Sequence, residues 1–292
     1  MKKSKKFLTR YLDALLKKYF LSSLYPIFVF LRTVRSFKKK ISIKKSFVRY
    51  SNNLTEINKN EFKITSQNNE DGIIEYIFKK IQHNNYFVEI GFGYYEFNSL
   101  NLIRNKWSGK LIDFNIEEVL ALRSNLNYYY PNSKINIINS KVNKDNINDL
   151  VYSDSANKEI DFFSLDIDGN DYWAVKSLKV SNIKVICIEY NHWLGANSRS
   201  VMKYDPNFKF VDNGIYGASL LAFTEMLKEK NFSLIAVDSS GTNAFYINNK
   251  FVNNFKILSS EKNFISEGRF YNEDKKKEIY KNIKNSNLFI EV

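Results

Sequence analysis

The chain has 292 residues, of which 44% are hydrophobic and 16% aromatic, enough to bury the core of one large α/β domain with extensions. Ten glycines and three prolines exclude a collagen-like fibre and argue against extended disorder. The formal net charge is +13, but residues 1–50 hold fifteen Lys and Arg against the single acid Asp13, so the rest of the chain is near neutral. Because the basic character belongs to one segment, no nucleic-acid partner is expected.

Residues 1–49 predict a basic amphipathic helical segment. Apolar and aromatic residues recur every three to four positions among Lys and Arg, a pattern typical of a helix lying in a membrane interface. The apolar run over 21–31 is too short to span a bilayer, is interrupted by Pro26, and is followed by no signal-peptide cleavage site. Two interpretations remain open. Either the protein is cytoplasmic and sits peripherally on the anionic inner face of the membrane, or this segment packs on the domain or on a second subunit.

Further along, residues 50–70 are polar and Asn-rich and predict a linker. The main domain is expected over 71–250, followed by a charged helical extension over 251–292. The single cysteine, Cys187, lies in an apolar run and is interpreted as a buried core thiol.

Short β-branched and aromatic runs alternate with helical patterns across the main domain, which predicts an α/β fold with a mostly parallel, Rossmann-like sheet. The last two strands are joined by six residues, too few for a helical crossover, so an antiparallel terminal hairpin is expected. Seven strands with such a hairpin are the layout of class I methyltransferases. The predicted strands are 86–90, 110–113, 135–138, 161–166, 184–190, 233–237 and 244–247.

The first predicted strand carries Glu89 and runs into a glycine turn at Gly91 and Gly93. Glycine allows positive φ and close approach of backbone to a ligand. A dinucleotide-binding loop has a third glycine three residues on, but here that position is Glu96. The combination favours a phosphate-free, cationic cofactor such as S-adenosylmethionine over a pyrophosphate.

An acid ends the second predicted strand, twenty residues past Gly93. Asp113 is placed to accept hydrogen bonds from a ribose diol, and its alternative role is to cap the helix that follows. Ser140 and Lys141 follow the third strand, where such folds contact adenine.

Polar residues also end the fourth and fifth predicted strands. Asp166 and Asp168 follow one, and Glu189, Asn191 and His192 end the other. The carboxyl ends of adjacent parallel strands line the ligand crevice, and this oxygen-rich set suits Mg²⁺. Asp166 is assigned to the methionine end of the cofactor and Asp168, Glu189 and Asn191 to the metal or acceptor, with Asp168 and His192 as catalytic candidates. The alternatives are a solvated acidic rim and, for His192, a structural loop residue.

The sequence resembles FkbM-like S-adenosylmethionine-dependent methyltransferases of bacteria over roughly residues 70–250. The resemblance rests on the glycine turn 87–93, on the run Asp166-Ile167-Asp168-Gly169-Asn170-Asp171-Tyr172-Trp173, and on Ile188-Glu189-Tyr190-Asn191. It implies the class I fold, S-adenosylmethionine as cofactor, and O-methylation of a sugar or another polar hydroxyl in glycan or natural-product biosynthesis.

Two rival functions remain open. One is a glycosyltransferase that binds a metal and a nucleotide sugar through Asp166-x-Asp168, and the other is a non-catalytic, membrane-docked binding module. The bulky Tyr94 and Tyr95 after the glycine turn favour the second rival, since they are expected to narrow the methionine end of the pocket.

Overall fold

The computed structural model describes residues 55–94, 96–154, 158–265 and 271–292, and the predicted segment 1–49 and Tyr95 lie outside them. Seven strands form the main sheet within this part of the chain. They are β1 (Tyr86–Ile90), β2 (Ser108–Asp113), β3 (Ile135–Asn139), β4 (Ile160–Leu165), β5 (Ile183–Glu189), β7 (Phe232–Val237) and β8 (Asn243–Asn248).

The sheet has the order β3-β2-β1-β4-β5-β8-β7. Strands β1 to β5 pair in parallel, and β8 is antiparallel to both β5 and β7. The predicted mostly parallel sheet with an antiparallel terminal hairpin is confirmed, and the arrangement is the class I methyltransferase fold. Each observed strand begins and ends within two residues of its predicted bounds.

Helices cover both faces of the sheet, because successive strand residues point to opposite sides. One apolar cluster joins the sheet to α1 (Glu70–Phe78), α2 (Leu100–Arg104) and α3 (Ile116–Tyr129). A second cluster joins the other face to α4 (Ile147–Tyr152), α5 (Asp171–Ser177) and α6 (Leu220–Glu229). Cys187 is fully buried in the first cluster, as expected of a core thiol.

The C-terminal residues pack back onto the loops that follow β5. They contain α7 (Ser260–Asn263), α8 (Glu273–Asn285) and β9 (Phe289–Glu291), and β9 pairs antiparallel with β6 (Ser200–Met202) in a second, two-stranded sheet. Ile279 of α8 is buried against Trp193 and Tyr216. The expected helical extension therefore also packs against the residues that follow β5.

The predicted linker over 50–70 needs correction in its described part. Ile57 belongs to the apolar cluster of α1 to α3, and the Asn58 amide donates to the Val237 carbonyl at 2.8 Å. Glu61 is buried, with one carboxylate oxygen accepting from Ser239 N. Polar residues here are buried with partners, so a polar composition did not mean a solvated linker.

Among the described residues, the helices are all too short or too polar to cross a membrane.

Candidate functional site

The sequence-predicted site residues gather at one edge of the sheet. Because β1, β2, β3, β4 and β5 run parallel, the residues that follow their carboxyl ends meet there.

The glycine turn after β1 is locked against β4. Gly91 has φ +78°, and a Cβ added to it would lie 1.6 Å from the Asp166 carbonyl oxygen. Gly93 shows no such crowding, since the nearest atom to its added Cβ is the Glu96 carbonyl oxygen at 3.3 Å. Glycine at 91 is therefore required by the contact between two strand ends of the protein itself.

Glu89 supports the wall of the site. Its buried carboxylate accepts from Asn98 N at 3.0 Å, from Ser99 N at 2.7 Å and from the Ser99 hydroxyl. Burial raises the pKa of this carboxyl to about 7. The sequence assigned Glu89 to the cofactor directly. In the structure its oxygens accept from Asn98 and Ser99, the two residues that precede α2, because a buried carboxylate must be satisfied locally.

Asp113 ties the glycine turn to the end of β2. One carboxylate oxygen accepts from Phe92 N at 3.1 Å and the other from Asn115 N at 2.6 Å, and burial raises the carboxyl pKa. Each oxygen keeps a second lone pair, which is the capacity that a ribose diol needs. Nearby, Ser140 N donates to the Asp113 carbonyl, and the exposed Lys141 donates through Nζ to the Pro206 carbonyl.

Glu118 is a residue that the sequence reasoning missed. It lies in the first turn of α3, and its Oε2 accepts from Tyr94 N at 2.7 Å. The Tyr94 side chain packs against the apolar cluster of α1 to α3. The signal was present in the sequence only as a Glu one turn into the helix after Asp113, a common pattern with no site-specific meaning.

Three carboxylates come together as predicted from the strand ends. Asp166, Asp168 and Glu189 each offer an oxygen within 4.8 Å of the others, and we call them the acidic triad. Asp168 is exposed, Asp166 is half-buried and Glu189 is buried. Like charges this close are unfavourable unless a proton or a cation is shared between them.

Asp168 is held in an unusual backbone conformation. Its φ is +53°, in the left-handed region that non-glycine residues seldom adopt. The buried Asp171 accepts from Ile167 N at 2.8 Å and from Gly169 N at 2.7 Å, the amides on either side of Asp168. Burial raises the Asp171 pKa to about 6. In the run that carries the family resemblance, Asp171 therefore holds the turn in which Asp168 lies.

Loop 203–217 closes over the same turn. The Phe208 ring lies against Gly169, where an added Cβ would meet a ring carbon at 2.4 Å. The Asn170 amide donates to the Asp205 carbonyl at 2.7 Å, and Asp205 N donates back to the Asn170 side chain at 3.2 Å. This loop therefore shapes the space above the exposed Asp168.

Asn191 and His192 are both buried in the turn after β5. The Asn191 amide nitrogen donates to the carbonyls of Gly214 and Tyr216, and its oxygen accepts from Trp193 N. The side chain is therefore engaged in holding the loop, and its role as a metal ligand stays a prediction. His192 lies against Trp193, with ring centroids 4.6 Å apart.

The sequence matches no protein-family model and no curated protein. Solved structures with a similar arrangement include two S-adenosylmethionine-dependent methyltransferases. The one from Methanosarcina mazei has 15% identity and a TM-score of 0.38, covering 59% of this chain and 94% of that one. The one from Clostridium acetobutylicum has 13% identity and a TM-score of 0.40, covering 72% and 97%.

A third similar structure is the N-terminal domain of EvdMO1, determined in the presence of S-adenosylhomocysteine and D-fucose. It has 8% identity and a TM-score of 0.42, covering 72% of this chain and 95% of that one. Similarities at this level describe a shared arrangement of strands and helices and say nothing about activity.

Proposed function

We propose that this protein is an S-adenosylmethionine-dependent methyltransferase that acts on a hydroxyl group of a sugar or another polar small molecule. The observation that carries the proposal is that backbone amides around the glycine turn donate to carboxylates of the protein itself. These are the amides of Phe92, Tyr94, Asn98 and Ser99. In dinucleotide-binding folds, the turn and the helix N-terminus at this place receive a pyrophosphate.

A phosphate-free, cationic cofactor suits such a turn. Carboxylates around it repel a pyrophosphate and attract a sulfonium or an ammonium group. We assign Gly91, Gly93 and Asp113 to the nucleoside side of the pocket, Ser140 and Lys141 to the adenine, and Asp166 to the methionine end. Glu89 supports this side of the pocket by holding Asn98 and Ser99 in place. When bound, S-adenosylmethionine supplies the electrophilic methyl group.

The acceptor side is assigned to the acidic triad and His192. Methyl transfer to a hydroxyl needs the acceptor oxygen aligned with the methyl group and its proton removed. In the proposal the exposed Asp168 binds the acceptor or a cation, and His192 takes the proton. Three carboxylates within this spacing are the ligands that Mg²⁺ prefers, and a bound Mg²⁺ would make the hydroxyl more acidic.

Calorimetry with S-adenosylhomocysteine tests the cofactor assignment. We expect micromolar binding by the full chain and at least a tenfold loss in Asp113→Ala, since a charged hydrogen bond contributes about 1.5–3 kcal/mol. Asp149→Ala is the matched control, because Asp149 is an exposed acid in the first turn of α4. Absence of binding by a well-folded wild-type protein would overturn the methyltransferase proposal.

Substitutions in the acceptor region test the acceptor side separately. An acceptor is first sought by release of S-adenosylhomocysteine with monosaccharides and their glycosides. Asp168→Ala and His192→Ala should each then lower turnover by at least about tenfold, while S-adenosylhomocysteine binding is kept. Normal turnover in both variants contradicts the assignment.

A metal-dependent glycosyltransferase is the second candidate, and the acidic triad is the observation that favours it. It predicts binding of a nucleotide sugar in the presence of Mn²⁺, with loss in Asp168→Asn. The occupied amides at the glycine turn argue against it. Nucleotide-sugar binding without S-adenosylhomocysteine binding would establish it, and no binding of either ligand would favour the non-catalytic binding module.

We also propose that residues 1–49 hold the protein on an anionic membrane surface. The support is the charge of this segment together with its amphipathic pattern. The full chain should sediment with vesicles containing phosphatidylserine and be released by salt, whereas a chain lacking residues 1–49 should stay in solution. Equal behaviour of the two chains would favour packing of the segment on the domain or on a second subunit.

A further inference from the structure

Glu118 lies where it can influence which ligand the glycine turn accepts. Its carboxylate accepts the Tyr94 amide at 2.7 Å, one residue past Gly93. The Tyr94 carbonyl lies 3.4 Å from the side-chain nitrogen of Asn125, which is in α3 like Glu118. The peptide units at Tyr94 are therefore held by α3 from both ends.

This contact completes a set of carboxylates on the turn. Asp113 accepts from Phe92 N, Glu118 from Tyr94 N, and Glu89 from the amides of Asn98 and Ser99. Amides that point outward from such a turn make a concave site for anions. Here the amides at positions 92, 94, 98 and 99 donate to acids of the protein itself.

Glu118 differs from the other two acids in its exposure. Glu89 and Asp113 are buried and support the fold around them, whereas Glu118 is half-buried in the first turn of its helix. Its carboxylate is therefore partly exposed beside the turn.

We propose that Glu118 is a positioning and specificity-determining residue, which holds the Tyr94 amide and keeps phosphate-bearing nucleotides out of the site. The proposal rests on the proposed function, since it assumes that the turn binds the nucleoside of S-adenosylmethionine. The selected ligand class is a nucleoside whose 5′ substituent is free of phosphate.

The test compares adenosine with AMP in calorimetry of the full chain. Wild-type protein should bind adenosine at least tenfold more tightly than AMP. Glu118→Ala removes the charge and frees the Tyr94 amide, so the ratio should shift at least fivefold towards AMP. Glu118→Gln removes the charge but keeps an acceptor for the amide, so the ratio should shift less than in Glu118→Ala. The affinity of Glu118→Gln for S-adenosylhomocysteine should stay within about threefold of wild type.

Glu117→Ala is the matched control, because Glu117 is the neighbouring exposed acid of the same helix turn. It should leave the ratio unchanged. An equal shift in Glu117→Ala, or no shift in Glu118→Ala, overturns the proposal, because a purely structural role for Glu118 does not create affinity for AMP. Failure of the proposed function has a different signature, namely loss of S-adenosylhomocysteine binding by the wild-type protein.

Discussion

Two groups of acids near the same edge of the sheet are used in opposite ways. Asp71 is fully buried, and its Oδ2 accepts the amides of Ile64, Thr65 and Ser66 at 2.6, 2.7 and 2.9 Å. The acids of the acidic triad instead lie within 4.8 Å of one another, with Asp168 exposed. Asp71 belongs to the first group, which we call the buried acids and which also contains Glu61, Glu70 and Asp238.

The two groups differ in what surrounds each carboxylate, namely hydrogen-bond donors in one and other carboxylates in the other. Asp238 accepts from Thr242 N and Asn243 N and so closes the turn between β7 and β8. Glu70 accepts from Asn68 N and from the Asn243 side-chain amide, which fastens segment 55–71 to that hairpin. The acidic triad brings like charges together, which costs stability and leaves a site for a cation or an acceptor.

The largest expected effect comes from Gly91, where the glycine turn meets the acidic triad. Gly91→Ala places a Cβ 1.6 Å from the Asp166 carbonyl oxygen and forces φ +78° on alanine. We expect a loss of more than about 4 kcal/mol in the free energy of unfolding, or failure to fold. Gly195→Ala shares the positive φ, at +85°, but has no atom within 4 Å of the added Cβ. It should cost about 1 kcal/mol in urea unfolding, and equal losses in the two variants would show that the strand contact is unimportant.

A second prediction contrasts one acid from each group. Asp71→Ala leaves three amides without their acceptor and should lower the free energy of unfolding by about 3–5 kcal/mol. Asp168→Ala relieves charge repulsion at an exposed position and should change it by less than about 1 kcal/mol. Urea denaturation of both variants measures this, and a cost for Asp168→Ala as large as that for Asp71→Ala would remove the distinction between the groups.

The smallest expected effect concerns pH. Burial raises the pKa of Glu61 from 4.5 to about 7. Between these values the folded protein keeps a proton that the unfolded chain has lost, so the free energy of unfolding falls as pH rises. Glu61→Gln mimics the protonated form and should remove about 2 kcal/mol of this loss between pH 5 and pH 8.

Unfolding curves at pH 5, 6, 7 and 8 for wild type and Glu61→Gln make the measurement. Glu89 and Asp171 also have raised pKa values, at about 7 and about 6, and they remain in both proteins. The pKa of Asp238 is also raised, first by burial and then by the charges of Glu70 and Glu61. The difference between the two pH profiles therefore measures Glu61 together with its interaction with Asp238. Parallel profiles would mean that Glu61 is ionised in the folded protein throughout this range.

Much of the sheet was predictable because each strand carries its own signal. β1 is Tyr-Phe-Val-Glu-Ile and was predicted at its observed bounds, 86–90, since β-branched and aromatic residues before a glycine turn indicate a strand. The short helix α2 was missed, because five residues give too little periodicity to recognise. The pairing of β6 with β9 was also missed, since it joins three-residue strands nearly ninety positions apart.

For the candidate site, residue types at strand ends were predicted but their partners were not. Asp166, Asp168 and Glu189 were expected to converge because parallel strands share an edge, and their oxygens do so. Asn191 was grouped with them by its position in the chain, yet its amide turns to Gly214 and Tyr216. A polar side chain one or two residues past a strand can face either the crevice or a neighbouring loop, and sequence position does not distinguish the two.

The sequence by itself determined the order of strands and helices, the glycine turn and the acids that end β2, β4 and β5, because these depend on local periodicity and on the rule that parallel strands share an edge. The tertiary structure alone decided which acids lock the backbone and which meet one another. A carboxylate takes its role from the donors and charges that the fold brings to it, and those come from distant parts of the chain, as Ser239 comes to Glu61.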